Sequence, residues 1–138
     1  VTIADLDEAR RDLARGFGFA AVEAPGDRAF DVVFECVGTE GALRGAIDAS
    51  RKGAVVLVVG VYGSDPRIQA ALIQDWELRL QGSLMYTSED YEEAIRLLAD
   101  GSIDAGRMIT SEHPLDEVER AFEIAAAGGA SLKVVLKP

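Results

Sequence analysis

The sequence is poor in the residues that build disulfide frameworks and metal centres. Among its 138 residues there is one cysteine, Cys36, and one histidine, His113. A single cysteine excludes an internal disulfide and is typical of a protein kept in a reducing compartment. One cysteine and one histidine, separated by most of the chain, also exclude a zinc site with the usual ligands.

Long apolar runs and excess positive charge are missing as well. Although 49% of the residues are hydrophobic, no segment approaches the uninterrupted apolar length that crosses a bilayer. Lysine and arginine number 14 against 24 acidic residues, which gives a net charge of -10. This balance disfavours nucleic acid and anionic membranes as partners. No basic head with an apolar run marks a signal peptide, so we expect a soluble, cytoplasmic protein.

Strand and helix patterns alternate along the chain. The segments AFDVVFECVG and AVVLVVGVYG are almost continuously apolar, which is typical of parallel strands covered on both faces. The segment between them has apolar residues at helical spacing, from Leu43 through Ile47, and Gly53 is expected to end this helix. ELRLQGSLMY alternates more weakly and fits an edge strand. We predict an α/β fold with a mostly parallel sheet and flanking helices.

Two more helices are predicted in the C-terminal half, over SEDYEEAIRLLADG and PLDEVERAFEIAAAGG. Ser88 is the predicted N-cap of the first, and Pro114 lies in the first turn of the second. Each has an apolar stripe that we expect to be buried. The stripe residues are Tyr91, Ala94, Ile95 and Leu98 on the first helix, and Leu115, Val118, Phe122 and Ala125 on the second.

Several segments together resemble the cofactor domain of the medium-chain, zinc-type alcohol and polyol dehydrogenases, nearest to the sorbitol, threonine and butanediol branch. They are, in order, VTIADLDEARRDLA, FDVVFECVG, AVVLVVGVYG, ELRLQGSLMYTSEDYEEAIRLLADGSID, MITSEHPLDEVERAFE and SLKVVLKP. The resemblance spans nearly all of the chain. It implies that residues 1–138 form a partial, Rossmann-like NAD-binding domain that lacks the first strand and the glycine-rich loop. It also implies that the zinc-binding catalytic domain lies outside these residues.

The resemblance assigns cofactor contacts to particular positions. Asp5 would accept hydrogen bonds from the adenosine ribose and repel the extra phosphate of NADP, which favours NAD. The neutral Leu6 fits NAD, whereas Arg10 could pair with a 2'-phosphate. The other implied cofactor-binding residues are Cys36, Val37 and Gly38 after one strand, Gly60 and Val61 after the next, Ser83 at the end of a third, and Lys133 toward the pyrophosphate. No catalytic residue and no metal ligand is implied within the chain.

General physics supports a site at these positions and leaves simpler roles open. In open α/β sheets, ligands bind beyond the carboxyl ends of the strands, where glycine allows close backbone approach. Asp5 could instead be only a helix N-cap, Cys36 a small buried residue, and Lys133 a solvated charge. Arg10, with Arg11 and Arg15, could simply form the solvent face of a helix.

The expected function is therefore the NAD-binding part of a zinc-dependent dehydrogenase that transfers hydride from a secondary alcohol or polyol to NAD. Zinc would be held elsewhere in the parent enzyme, which we expect to be a homo-oligomer, and the fragment alone would be inactive. In the strand order 3-2-1-4-5-6, loss of the first strand leaves two strand edges unpaired. The alternative is a non-catalytic, Rossmann-like nucleotide-binding or interaction module, for example one that binds S-adenosylmethionine, whose sheet would end in an antiparallel hairpin.

Overall fold

The computed structural model describes residues 1–138, in which short strands and helices follow one another along the chain. The elements are β1 (Thr2–Ala4), α1 (Glu8–Gly16), β2 (Ala20–Val22), β3 (Phe30–Glu35), α2 (Glu40–Ala49), β4 (Ser50–Val58), α3 (Ala70–Asp75), β5 (Arg79–Gly82), α4 (Ser88–Ala99), α5 (Ala105–Met108), β6 (Ile109–Pro114), a 3-10 turn (Leu115–Glu117), α6 (Val118–Ala127) and β7 (Lys133–Lys137).

Every strand pair is parallel, and the strands form three sheets. These are β1-β2, β3-β4-β5 and β6-β7. The predicted α/β class with parallel strands and flanking helices is confirmed. β4 has two hydrogen-bonded neighbours, and each of the other strands has one. β5 is an edge strand, as predicted, but it is shorter than its sequence pattern indicated.

The chain divides into two compact units. The first unit comprises residues 1–23 and 86–138, and the second unit comprises residues 24–85. The first unit contains the β1-β2 pair with α1 and the β6-β7 pair with α6. Within it, the Arg107 guanidinium donates to the Gly16 carbonyl at 2.5 Å and lies over the Phe17 ring at 4.4 Å. The second unit is built on the three-stranded sheet.

The hydrophobic core of the second unit lies between α2 and one face of its sheet. Leu43, Ala46 and Ile47 are buried on α2, as the helical spacing predicts, and they pack with the fully buried Val56 of β4. The prediction that Gly53 ends this helix is wrong. Ser50 already begins β4 and donates from its hydroxyl to the Ala46 carbonyl at 2.7 Å, so the chain turns directly from helix to strand.

The opposite face of the same sheet is not covered, contrary to the expectation from its continuous apolar pattern. Because side chains alternate along a strand, Val32 and Phe34 share this face with their β4 partners, Val55 and Leu57. Phe34 is 64% exposed and Val32 is 49% exposed. We call these four residues the uncovered face. A parallel sheet of this kind is normally buried on both sides.

The predicted burial of the apolar stripes on α4 and α6 is also wrong. Ile95 of α4 is 64% exposed and Phe122 of α6 is 70% exposed, whereas Ala121 is the buried residue of α6. The remaining large residues of the two stripes are exposed as well, namely Tyr91, Leu98, Leu115 and Val118. On α6, the side that packs against β6 and β7 carries Ala121 and the half-buried Ile124 and is not the predicted stripe. On α4, the Tyr91 ring meets the Tyr86 ring edge-on at 4.9 Å, but the stripe stays exposed.

The ends of these helices also differ from the predictions. Thr87 rather than Ser88 caps α4, in a reciprocal capping box with Asp90. Pro114 is the last residue of β6, and a 3-10 turn precedes α6. None of the helices combines the length and the apolar character needed to cross a membrane.

Candidate functional site

Most of the predicted site residues lie at or just after the carboxyl ends of parallel strands, in both units, whereas Lys133 lies at the opposite, amino-terminal end of β7. In the second unit, the ends of β3, β4 and β5 are neighbours in one sheet: the Val59 amide donates to the Glu35 carbonyl at 2.8 Å, and the Ser83 amide donates to the Val58 carbonyl at 2.9 Å. This edge therefore brings together six predicted residues, which are Cys36, Val37, Gly38, Gly60, Val61 and Ser83. Asp5, Leu6 and Arg10 lie together in the first unit, after β1.

Asp5 follows β1 and is not the cap of the helix that comes next. The N-cap of α1 is Asp7, whose carboxylate accepts from the amides of Ala9 at 2.8 Å and Arg10 at 3.4 Å. Asp5 uses only Oδ1, which accepts from the Asp7 amide at 2.9 Å. Its Oδ2 accepts no hydrogen bond from the chain. The half-buried Asp5 carboxylate therefore keeps an oxygen that a ligand hydroxyl can reach.

The two arginines after Asp5 behave differently. Arg11 is buried, pairs with Glu8 and donates to the Asp5 carbonyl at 2.6 Å, so its assignment to the solvent face of the helix is wrong. Arg10 is exposed, and its guanidinium forms no ion pair. Arg10 and Asp5 border a cavity of about 300 Å³ whose other walls are mainly apolar. Leu6 is exposed beside them.

Gly38 and Gly60 are packed against each other across the ends of β3 and β4. A Cβ added at Gly60 would lie 2.2 Å from the Gly38 amide nitrogen, and one added at Gly38 would lie 2.2 Å from the Val61 carbonyl oxygen. Gly38 also has φ +77°, a conformation that favours glycine. The two glycines are thus required by the contact between the two loops, a reason that differs from the ligand approach expected from the sequence.

Glu35 and Tyr62 are functional candidates that sequence reasoning missed. Glu35 is 3% exposed at the end of β3. Its Oε1 accepts from the amides of Val37 and Gly38, both at 2.8 Å, and its Oε2 accepts from the Tyr62 hydroxyl at 2.6 Å. The one available signal was an acidic residue directly after the apolar run Val32–Phe34 of β3. We call these contacts the Glu35 network.

The Glu35 network shifts the titration of both of its ionisable side chains. Burial alone would raise the pKa of Glu35, but the hydrogen bonds from Tyr62, Gly38 and Val37 outweigh it and lower the pKa. Burial, the hydrogen bond to Glu35 and the charge of Glu35 raise the pKa of Tyr62 to about 12. The pair is therefore a carboxylate and a neutral phenol at neutral pH.

These shifts predict two pH ranges in which stability falls. Glu35 stabilises the fold at neutral pH, and this contribution is lost as pH falls from 4.5 through its lower folded pKa. Tyr62 contributes below its ordinary pKa of 10, and that part is lost as pH rises toward 12. Tyrosinate absorbance of the wild type minus that of Tyr62→Phe isolates the Tyr62 titration. A midpoint near 10 in this difference would contradict the prediction.

The remaining predicted residues are ordinary in their surroundings. Cys36 is exposed, so the alternative of a small buried residue is wrong. Partial burial of the thiol and the negative charge of Glu35 raise the pKa of Cys36, so its thiol stays protonated. Ser83 is exposed just after β5. Lys133 is the first residue of β7, in the first unit; its amide donates to Thr110 Oγ1 at 3.3 Å, and its ammonium forms no ion pair.

The side chains of the chain do not fit a zinc site. No group of three histidine, cysteine, aspartate or glutamate side chains is placed to hold a metal ion. The single histidine, His113, has Nδ1 at 3.1 Å from Glu117 Oε2 and a buried Nε2 without a partner. It lies in β6 of the first unit, in register with Leu136 of β7.

Known proteins with similar sequences are dehydrogenases and reductases. A sorbitol dehydrogenase of Halalkalibacterium halodurans is 31% identical over 137 residues, which cover 97% of this chain and 36% of that protein. A D-xylulose reductase of Saccharomyces cerevisiae is 27% identical over 140 residues, which cover 89% of this chain and 39% of that protein. Across the most similar curated relatives, the chain spans between 24% and 39% of their length.

The fold is shared with solved structures over the whole chain. A Sinorhizobium meliloti 1021 protein assigned to the zinc-binding dehydrogenases, solved with NADP bound, superposes with a TM-score of 0.89 at 28% identity, covering 100% of this chain and 45% of that one. The sequence profile of the family described as zinc-binding dehydrogenase matches residues 1–100. The resemblance read from the sequence is thereby confirmed, and the chain belongs to the zinc-binding dehydrogenase family.

Proposed function

We propose that this chain is the C-terminal part of the NAD-binding domain of a dehydrogenase that oxidises a secondary alcohol or polyol. The observation that carries the proposal is Asp5. It follows the first strand of a parallel α/β unit, it is not used as a helix cap, and its Oδ2 is free. A carboxylate in this position of a dinucleotide-binding fold accepts hydrogen bonds from the adenosine ribose.

The cofactor supplies hydride acceptance, and the residues of this chain bind and orient it. Asp5 would hold the ribose, with Leu6 and Arg10 beside it. Cys36, Val37 and Gly38, together with Gly60, Val61 and Ser83, would present the edge formed by the ends of β3, β4 and β5. Lys133 would contribute a positive charge toward the pyrophosphate. No residue of this chain is assigned a proton-transfer or metal-binding role, and zinc would be held by other parts of the protein.

We further propose that the working protein is longer than these residues. Three observations support this: the chain spans less than half of its relatives, the free edges of β1 and β3 lack partners, and the uncovered face exposes Val32 and Phe34. Exposed apolar faces and unpaired edges of this size favour association. A preceding strand, glycine-rich loop and helix would cover them.

The site also bears on the choice between NAD and NADP. The negative charge of Asp5 opposes a 2'-phosphate, whereas the free guanidinium of Arg10 could accept one. We expect the carboxylate to dominate, because it lies directly at the strand end, and we therefore propose NAD as the cofactor.

Asp5→Asn in the full-length protein tests this proposal. We expect the ratio of kcat/KM for NAD to that for NADP to fall by at least about tenfold, since the variant loses the charge that repels the 2'-phosphate. Asp27→Asn, an exposed acid with no hydrogen bond or ion pair, is the charge-matched control. An unchanged ratio in Asp5→Asn would rule out Asp5 as the residue that disfavours NADP.

The alternative of an S-adenosylmethionine-binding module is less well supported. That fold would end its sheet in an antiparallel hairpin, whereas β6 and β7 pair in parallel. Binding of S-adenosylmethionine without any binding of NADH by the full-length protein would favour the alternative.

We also propose a cytoplasmic homo-oligomer that acts on a small alcohol or polyol. The single cysteine supports a reducing compartment, and β5 leaves an outer strand edge unpaired that a second subunit could use.

A further inference from the structure

The Glu35 network lies at the junction of the two loops on which the proposed cofactor site depends. The Glu35 carboxylate accepts from Val37 and Gly38 of its own loop and from Tyr62 of the loop after β4. The Glu35 carbonyl accepts from the amides of Val59 at 2.8 Å and Gly60 at 2.9 Å. One residue thus receives five hydrogen bonds that together span both loops.

The charge of Glu35 has no cationic partner. None of the ion pairs of the chain includes Glu35, although the residue is buried. A buried carboxylate without a cation is costly unless several donors face it. Here two backbone amides and a phenol are those donors, and they come from segments that are otherwise irregular. These hydrogen bonds hold the loops in a defined conformation, and they contribute little to the packing of the hydrophobic core.

The glycine contact leaves the loops little freedom to repack. The position at which a Cβ of Gly60 would lie is 2.7 Å from Glu35 Oε2 as well as 2.2 Å from the Gly38 nitrogen. The carboxylate therefore fills the space immediately beside the closest approach of the two backbones. Without it, the amides of Val37 and Gly38 would lose their acceptor, and Tyr62 would lose its partner.

We propose that Glu35 is a positioning residue that holds the loops 36–38 and 59–62 together in the shape that receives the dinucleotide. Its consequence for binding rests on the proposed function; its consequence for the loops does not. Glu35 acts through the backbone of Gly38 and Gly60 and through the outward-facing side chains of Val37 and Val61.

The test combines hydrogen exchange with NADH binding in the full-length protein. In Glu35→Ala without ligand, we expect faster exchange at the amides of Val37 and Gly38, which lose their acceptor, and also at Val59 and Gly60, whose own acceptor is retained. We expect NADH affinity to fall by about tenfold or more. Glu35→Gln should restore both, because its amide can accept from the two backbone donors and donate to the Tyr62 oxygen.

Two further variants separate positioning from general destabilisation. Leu78→Ala removes a buried side chain from the opposite, amino-terminal end of the same sheet. It should lower thermal stability without changing exchange at Val59 or NADH affinity. Tyr62→Phe should increase exchange at Val59 and Gly60 while sparing Val37 and Gly38, because only the link between the loops is lost.

Each result decides the matter. Unchanged exchange at Val59 and Gly60 in Glu35→Ala would overturn the inference, since the carboxylate would then shape only its own loop. Altered exchange with unchanged NADH affinity would overturn its role in binding. Failure of the wild type to bind NADH would refute the proposed function instead, and the exchange data would still decide whether Glu35 joins the loops.

Discussion

Replacing Gly60 with alanine is expected to lower the free energy of unfolding by about 3 kcal/mol. The new Cβ would lie 2.2 Å from the Gly38 nitrogen, 2.7 Å from the Gly38 Cα and 2.7 Å from Glu35 Oε2. Two of these atoms belong to the backbone and cannot rotate away, so the loops must separate. Denaturant unfolding of the full-length protein measures the loss. NADH affinity should fall with it, since the same loops form the proposed site.

Gly38→Ala should cost at least as much, because φ +77° adds backbone strain to a clash with the Val61 carbonyl oxygen at 2.2 Å. The two substitutions open the same contact, so the double variant should lose less than the sum of the single losses. Additive losses would mean that the two glycines act independently.

Gly45→Ala is the matched control for both glycine variants. Gly45 lies inside α2, and an added Cβ would meet no atom within 4 Å. The same chemical change should therefore raise stability by about 0.5–1 kcal/mol through helix propensity. If Gly60→Ala were as well tolerated as Gly45→Ala, the close packing of the two loops would be refuted, and with it the space that Glu35 is proposed to hold.

The sequence predicted best what depends on neighbours close in the chain. The buried face of α2 followed from the spacing of Leu43, Ala46 and Ile47, because this helix packs on β3 and β4, the strands that it connects. The parallel pairing of β3 and β4 followed from their apolar runs. The turn after β1 was predicted only in part. Two acids stand there; in the structure Asp7 caps α1, and Asp5 accepts only from the Asp7 amide, which leaves its Oδ2 without a hydrogen bond.

What the sequence could not predict depends on partners distant in the chain or outside it. Glu35 accepts a hydrogen bond from the hydroxyl of Tyr62, which lies in the loop after β4, and no local sequence pattern pairs these two residues. The apolar stripes on α4 and α6 show the converse error, in which the sequence predicted burial that the structure does not have. Periodicity identifies an apolar side of a helix, yet Ile95 and Phe122 remain exposed because burial requires a covering element that these residues do not supply.

Phe34→Lys is expected to improve the behaviour of the isolated 138-residue chain, by reducing its self-association, and to destabilise the longer protein that we propose. Phe34 lies on the uncovered face and is 64% exposed within these residues. In the isolated chain, the added charge should reduce self-association through this face. In the longer protein the same face would be buried, and an unpaired ammonium there should lower stability by about 3 kcal/mol or more. Sedimentation measures the first effect and denaturant unfolding the second.

Gln74→Lys introduces the same charge on an exposed position of α3. It should leave both the self-association of the isolated chain and the stability of the longer protein nearly unchanged. This control separates the location of the charge from a general gain in solubility. The proposal of a longer working protein would fail if the isolated chain were monomeric and unfolded cooperatively while Phe34→Lys was neutral in the longer protein. The uncovered face would then be a natural surface. If Phe34→Lys reduces self-association of the isolated chain and destabilises the longer protein, and Gln74→Lys does neither, the second face of the β3-β4-β5 sheet is covered by residues outside this chain.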